Sequence, residues 1–175
     1  MTGRRTLILV LLALFVVAGM FLWKNPVSVA RKSAGTTGLD APEFALKTLD
    51  GSRLTLSEYR GKVILLDFWA TWCSPCQEEI PRFVEWQGKY GNQGFQVIGI
   101  SMDDNPKPVQ GFVQDFRMRY PVAMGTQEMA SQFGGILGLP VNLVIGRDGK
   151  IKAKHLGMYD LNQLEQEIKT QLDSQ

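Results

Sequence analysis

The order of apolar and polar positions predicts strands that alternate with helices from residue 41 to the end of the chain. Unbroken apolar runs are typical of buried strands, whereas apolar residues three or four positions apart are typical of one helix face. The predicted strands cover 62–68, 95–102, 120–124, 141–145 and 151–156, after a hairpin over 43–56 that turns at Asp50-Gly51. The predicted helices cover 74–90, 106–119, 126–133 and a last segment capped by Asp160. This alternation predicts an α/β fold in which helices pack on a mixed sheet.

An uncharged and almost wholly apolar segment, residues 7–23, precedes this domain. Its length is at the short end of a membrane-spanning helix and above that of a usual signal-peptide core. We interpret it as an uncleaved anchor. The alternatives are a removed signal peptide, for which Ser28-Val29-Ala30 is a possible cleavage site, and a buried helix of a soluble protein. The expected organisation is therefore a tail over 1–6, the apolar segment over 7–23, a flexible linker over 24–40 and one domain over 41–175.

Charge adds little to this picture. The 175 residues carry a formal net charge of +2, and so mild a balance gives no basis for a nucleic-acid surface. Basic residues stand on both sides of the apolar segment, namely Arg4, Arg5, Lys24, Arg31 and Lys32. The positive-inside rule therefore does not decide on which side of a membrane the domain lies.

Cys73 and Cys76 are the only two cysteines, and they lie where the strand over 62–68 gives way to the helix over 74–90. The amino end of a helix favours an anion, and the anion of cysteine is its reactive thiolate. We expect Cys73 to attack a disulfide in another protein and Cys76 then to displace that partner. The alternatives are a structural disulfide, worth only about 2 kcal/mol in so short a loop, and a zinc site, for which the chain adds one histidine, His155. We expect no metal and no cofactor besides the disulfide.

The residues around the pair resemble the thioredoxin active site. These are Asp67-Phe68-Trp69-Ala70 at the end of the strand and Trp72-Cys73-Ser74-Pro75-Cys76 at the start of the helix. The chain resembles more narrowly the TlpA/ResA-like branch of the AhpC/TSA-redoxin superfamily through Ala41-Pro42-Glu43-Phe44-Ala45-Leu46, Asp50-Gly51 and Leu56-Ser57-Glu58-Tyr59-Arg60-Gly61-Lys62. The resemblance implies a thioredoxin fold with an N-terminal β-hairpin and a central helix–strand insertion, preceded by one transmembrane helix.

Two carboxyl groups are candidates to exchange protons with the cysteines. Asp67 interrupts an apolar strand, so burial is expected to raise its pKa and suit it to exchange a proton with Cys76. Glu79 is on the same helix face as Cys76 and matches an acidic residue that ResA-like proteins have near their active site. The alternatives are a solvent-facing Asp67 at a strand end and a Glu79 on the surface.

Three residues are candidates for substrate binding. Trp72 is expected to offer an apolar platform to a partner protein. By resemblance, Pro140 is expected to follow a cis peptide bond and lie beside the cysteines, where backbone groups of Leu139 pair with a substrate peptide. The alternative is a trans proline that starts a strand. Elsewhere, Ser57 is expected to cap a short turn and His155 to be exposed.

The resemblance implies a single-pass protein of the bacterial cytoplasmic membrane, with its domain on the periplasmic or extracytoplasmic side. It implies a thiol–disulfide oxidoreductase that reduces exported proteins, such as apocytochrome c or oxidised copper-site proteins, with electrons from a membrane donor. One alternative is a peroxiredoxin-type peroxidase, because peroxiredoxins share the Ala41-Pro42 and Gly61-Lys62 patterns. Another is a copper(I) chaperone that binds the metal through both thiolates.

Overall fold

The computed structural model describes residues 37–174. Its strands are β1 (Ala45–Lys47), β2 (Arg53–Thr55), β3 (Val63–Trp69), β4 (Phe95–Ser101), β5 (Val122–Met124), β6 (Val141–Ile145) and β7 (Ile151–Leu156). Its α-helices are α1 (Ser74–Tyr90), α2 (Pro106–Asp115), α3 (Gln127–Gln132) and α4 (Leu161–Asp173). The predicted tail, apolar segment and most of the linker lie outside the described residues. Between residues 37 and 174, no helix is long and apolar enough to cross a membrane.

β3 is the centre of a five-stranded mixed sheet whose strand order is β5-β4-β3-β6-β7. It pairs in parallel with β4 and antiparallel with β6, and β5 and β7 extend the sheet on the two sides. All seven residues of β3 are buried, which explains why its sequence is an apolar run rather than an alternating one. β1 and β2 form a separate antiparallel hairpin, as predicted.

The alternation of side chains along β3 divides the apolar core into two layers. Leu65 and Trp69 belong to the layer that contains buried residues of α1, α2 and α4. Leu66 and Phe68 belong to the layer that contains residues of the hairpin and of α3. Since Asp67 alternates in the same way, it shares a face with Leu65 and Trp69, towards the helix that carries the cysteines.

α1 begins and ends where the sequence predicted. Cys73 is its N-cap, Pro75 lies in its first turn, and Pro81 lies inside it without ending it. A proline in the first turn replaces an N–H that has no helical partner, whereas Pro81 removes one internal hydrogen bond. The first turn of the cysteine-bearing helix is therefore regular.

Two local predictions are wrong. The helix predicted over 106–119 ends at Asp115, because Arg117 adopts a φ of 53° and turns the chain before β5. Ser57 is not a cap but lies inside a 3₁₀ helix over Leu56–Tyr59 that follows Thr55. The Glu58 carboxylate accepts a hydrogen bond from the Thr55 amide at 3.0 Å, which places the start of that turn two residues earlier.

Candidate active site

Cys73 and Cys76 form a disulfide, with their Cα atoms 5.3 Å apart. The amide of Cys76 donates a hydrogen bond to Sγ of Cys73 at 3.3 Å. Cys73 is 5% exposed and Cys76 is 1% exposed. Cys73 is therefore the sulfur closer to an approaching partner, and Cys76 lies behind it in the apolar layer beneath α1.

Asp103, directly after β4, fixes the loop that leads from β3 to Cys73. Its carboxylate accepts hydrogen bonds from the amide and the hydroxyl of Thr71 at 2.9 and 2.5 Å and from the hydroxyl of Ser101 at 2.8 Å. The Gln77 side chain donates to the Thr71 carbonyl at 2.7 Å. Sequence reasoning missed Asp103, although a carboxylate that follows a strand parallel to β3 is a signal for this position.

Asp67 is buried, and its two carboxylate oxygens have no hydrogen-bond partner among the described residues. Burial raises the pKa of this carboxyl well above its ordinary value, and the nearby charge of Glu79 raises it further. The alternative of a solvent-facing Asp67 is thus wrong. A carboxyl group in these surroundings holds its proton far more strongly than a surface aspartate does.

Glu79 is also buried, whereas its neighbour Glu78 is exposed. Its Oε2 accepts a hydrogen bond from Nδ2 of Asn142 at 2.8 Å. Burial raises the pKa of Glu79 to about 7, although the Asn142 hydrogen bond and the charge of His155 act in the opposite direction. Glu79 is not a surface residue, and its charge changes in the physiological pH range.

Asp67, Asn142 and His155 form one row across the sheet, which we call the polar row. Asn142 on β6 is the register partner of Asp67 on β3 and of His155 on β7. Directly paired residues of antiparallel strands present their side chains to the same face of the sheet. Sequence reasoning missed Asn142, although it interrupts an apolar strand just as Asp67 does.

The prediction of an exposed His155 is wrong. Its side chain is 10% exposed, and its Nε2 lies 2.7 Å from Oε2 of Glu167 on α4. Its ring stacks on that of Tyr159 with 3.7 Å between centroids, and the Tyr159 hydroxyl donates to Oε1 of Glu167 at 3.1 Å. The reason is that α4 packs back over β7, which places a helix carboxylate over this strand residue.

The Leu139–Pro140 peptide bond is cis, as the resemblance implied, so the trans alternative is wrong. The Pro140 carbonyl accepts a hydrogen bond from the Gly157 amide at 2.8 Å, which joins the loop before β6 to the loop after β7. Each loop carries an exposed large apolar side chain, Leu137 in the first and Met158 in the second. Trp72, which directly precedes Cys73 in the chain, is likewise 68% exposed, so it offers apolar surface to a partner at that point.

Comparisons with known proteins agree with this site. Residues 37–154 match the AhpC/TSA family. The chain is similar to the thiol-disulfide oxidoreductase ResA of Bacillus cereus (strain ATCC 10987 / NRS 248), with 31% identity over 162 residues that cover 93% of this chain and 92% of the relative. ResA of Bacillus subtilis (strain 168) is 29% identical over 142 residues, or 81% of this chain and 78% of that protein.

The fold comparison agrees with the sequence comparison. A crystal structure described as a putative thiol:disulfide interchange protein DsbE from Chlorobium tepidum matches with a TM-score of 0.72 and 33% identity. The match covers 78% of this chain and 97% of that one. The sheet and helices described above therefore form a thioredoxin-like α/β fold.

Proposed function

Because this chain belongs to the AhpC/TSA family and is a ResA-like thiol–disulfide oxidoreductase, we propose that it reduces disulfides of exported proteins while tethered to the bacterial cytoplasmic membrane. The observation that best supports the proposal is the position of Cys73 as the N-cap of α1, with Cys76 and two carboxyl groups buried behind it. The targets in view are cysteines of apocytochrome c or of copper-site proteins.

The reaction begins with the reduced pair. The Cys73 thiolate attacks one sulfur of the partner disulfide, and the partner's other sulfur leaves as a thiolate. Cys76 then loses its proton, attacks Sγ of Cys73 and displaces the first partner sulfur as a second thiolate. Two electrons pass to the partner, the Cys73–Cys76 disulfide forms, and a membrane dithiol donor reduces it again. No cofactor other than this disulfide takes part.

Two groups are proposed to handle the proton of Cys76. Glu79 is one helical turn after Cys76, and a pKa of about 7 lets it accept a proton at neutral pH and return it in the reverse reaction. Asp67 shares the buried face and has a raised pKa, so it keeps a proton close to the reacting sulfurs. The raised pKa values of Glu79 and Asp67 are the physical support for this assignment.

The apolar surface beside the cysteines is proposed to bind the substrate. Trp72 supplies a platform on one side, and Leu137 and Met158 stand on the loops joined at Pro140. The backbone at Leu139 pairs with an extended substrate segment that carries the disulfide. Affinity then depends on backbone pairing and apolar contact, which suits substrates that are not yet folded.

Membrane tethering is proposed from the apolar segment over 7–23, and the reducing direction from the resemblance to the TlpA/ResA-like branch. Removal of residues 1–36 is expected to release the domain from the membrane fraction into the soluble fraction. A protein that stays in the membrane fraction after this deletion, or a full chain that is soluble from the start, would contradict the tether.

The catalytic proposal is tested with Cys76→Ser, which stops the reaction after the first attack. The variant is expected to accumulate exported proteins as mixed disulfides on Cys73, which mass spectrometry identifies after non-reducing electrophoresis. The matched control, with both cysteines replaced by serine, is expected to capture nothing. If Cys76→Ser, reduced beforehand and analysed without reductant, captures no more than this control, the proposed exchange is wrong.

A further inference from the structure

His155 is held in a buried cluster that the proposed reaction does not use. The Glu167 carboxylate binds the His155 ring through one oxygen and the Tyr159 hydroxyl through the other, while the two rings stack. The cluster therefore fixes where the His155 ring lies.

The polar row connects this cluster to the cysteine-bearing helix. His155 and Asn142 are register partners on one face of the sheet, and Asn142 donates to the Glu79 carboxylate. In such a pair, Cβ atoms lie roughly 5 Å apart, so a charge on His155 is close to the Asn142–Glu79 hydrogen bond. Burial of Glu79 and Asn142 limits solvent screening of that charge.

We propose that His155 is a positioning residue that, together with the Asn142 hydrogen bond, sets the pH range in which Cys76 passes its proton to Glu79. The inference rests on the proposed function in one respect, the role of Glu79 as proton acceptor. His155 touches neither sulfur and acts through the charge it places beside Glu79.

The other charged groups around Glu79, within the described part of the chain, do not favour its charged form. Glu78 on the same helix is a like charge that raises the pKa of Glu79, and Asp67 on β3 is a second acid. Glu167 on α4 faces His155 and holds it in place. Among the described residues that act electrostatically on Glu79, His155 is the one that supplies positive charge.

The test uses the reduced protein in stopped-flow mixing with an aromatic disulfide reagent whose thiolate is coloured. The first equivalent of colour reports attack by Cys73, and the second reports attack by Cys76 on the mixed disulfide. The rate of the second phase between about pH 5 and about pH 8 gives the midpoint for Glu79. His155→Gln is expected to move this midpoint upward by roughly half a pH unit, because it removes a positive charge a short distance from Glu79.

Two further variants separate charge from structure. His155→Lys keeps a positive charge and is expected to keep the midpoint at or below that of the unaltered protein. Lys152→Gln removes a charge from the same strand, where Lys152 is paired with Asp148, and is expected to leave the midpoint unchanged. Should His155→Gln not fold, His155→Asn carries the same expectation.

Glu79→Gln distinguishes the two ways in which the inference can fail. If Glu79→Gln abolishes the rise of the second phase near neutral pH but His155→Gln leaves the midpoint unmoved, the inference about His155 is wrong and the proposed role of Glu79 stands. If Glu79→Gln leaves the rise intact, the role of Glu79 and the inference built on it are both wrong. An upward shift that His155→Lys fails to reverse also overturns it.

Discussion

Nδ2 of Asn142 lies 2.8 Å from Oε2 of Glu79, a buried hydrogen bond between the strand that follows Pro140 and the helix that begins at Cys73. The donor favours the charged form of the carboxyl, whereas burial favours the neutral form. The balance between these two effects gives Glu79 a pKa of about 7 rather than the value of a fully desolvated carboxyl. In the proposed reaction, Asn142 therefore helps to set the pH at which Glu79 accepts a proton.

Replacement of Asn142 by leucine removes the donor and keeps a side chain of similar size. The pKa of Glu79 is expected to rise further, because burial raises it and the hydrogen bond that opposes burial is gone. The midpoint of the Cys76 phase in the stopped-flow experiment should therefore move upward by about one pH unit. Val144→Ala, on the same face of β6, is the control for packing loss and is expected to leave the midpoint in place. An unchanged midpoint in Asn142→Leu would contradict this account of Glu79.

Asp67 is expected to make the stability of the protein depend on pH. Its pKa is raised in the folded state, so its contribution to stability is fully present below the ordinary value of 3.8 and is lost as pH rises towards the folded value. Asp67→Asn has no such pH-dependent loss. Its free energy of unfolding should therefore increase relative to that of the unaltered protein from acid to neutral pH. Urea unfolding of the oxidised forms across this pH range measures the difference. A difference that stays constant with pH would show that Asp67 titrates alike in the folded and unfolded chain.

Asp103→Asn is expected to loosen the loop before Cys73, because a neutral amide accepts weaker hydrogen bonds than a carboxylate from Thr71 and Ser101. The free energy of unfolding should fall by about 1–2 kcal/mol, and the first stopped-flow phase should slow several-fold. Asp104→Asn removes the same charge from the exposed neighbouring position and serves as the matched control. Equal effects of the two variants would mean that charge, and not the loop contacts, is responsible.

Loss of the exposed apolar side chains is expected to weaken the binding of protein substrates but not of small ones. The variants are Trp72→Ala and the double variant Leu137→Ser with Met158→Ser. With insulin as a protein disulfide, KM should rise about tenfold, the loss expected when one or two apolar contacts disappear. The rate with the small aromatic disulfide should stay within about twofold, because that reagent needs little docking surface. Leu39→Ser, an exposed apolar residue beside Ile151 at the opposite end of the sheet, is the control. An equal loss with both substrates would place these residues in the chemistry rather than in docking.

Local patterns in the sequence were sufficient for much of the fold. The bounds of α1, β6 and β7 agree with prediction because apolar runs, capping residues and turn residues all mark the same boundaries. The end of α2 disagrees with the prediction, because Arg117 adopts a positive φ and reverses the chain. Glycine is the usual residue in that conformation, so an arginine there gives no sequence signal for the end of the helix.

The site was only half predictable, for a different physical reason. Cys73, Cys76 and Asp67 are marked by their own local context, a helix start and an apolar strand. Asn142 and His155 acquire their positions from strand register and from a helix that packs back over the sheet. Such pairings join residues far apart in the chain, and a single sequence contains no periodicity that reveals them.

The hydrogen bond from Gly157 to Pro140 fastens two surface loops to each other, and neither of its partners belongs to β3 or α1. In the proposed reaction, the tips of these loops meet the substrate, whereas β3 and α1 carry the groups that exchange sulfur bonds and protons. Exchanging Leu137 and Met158 for the residues of a homologue, with Leu139, Pro140 and Tyr159 kept, should redirect the enzyme to new clients. Diversification within such a lineage then needs changes in two short connections only.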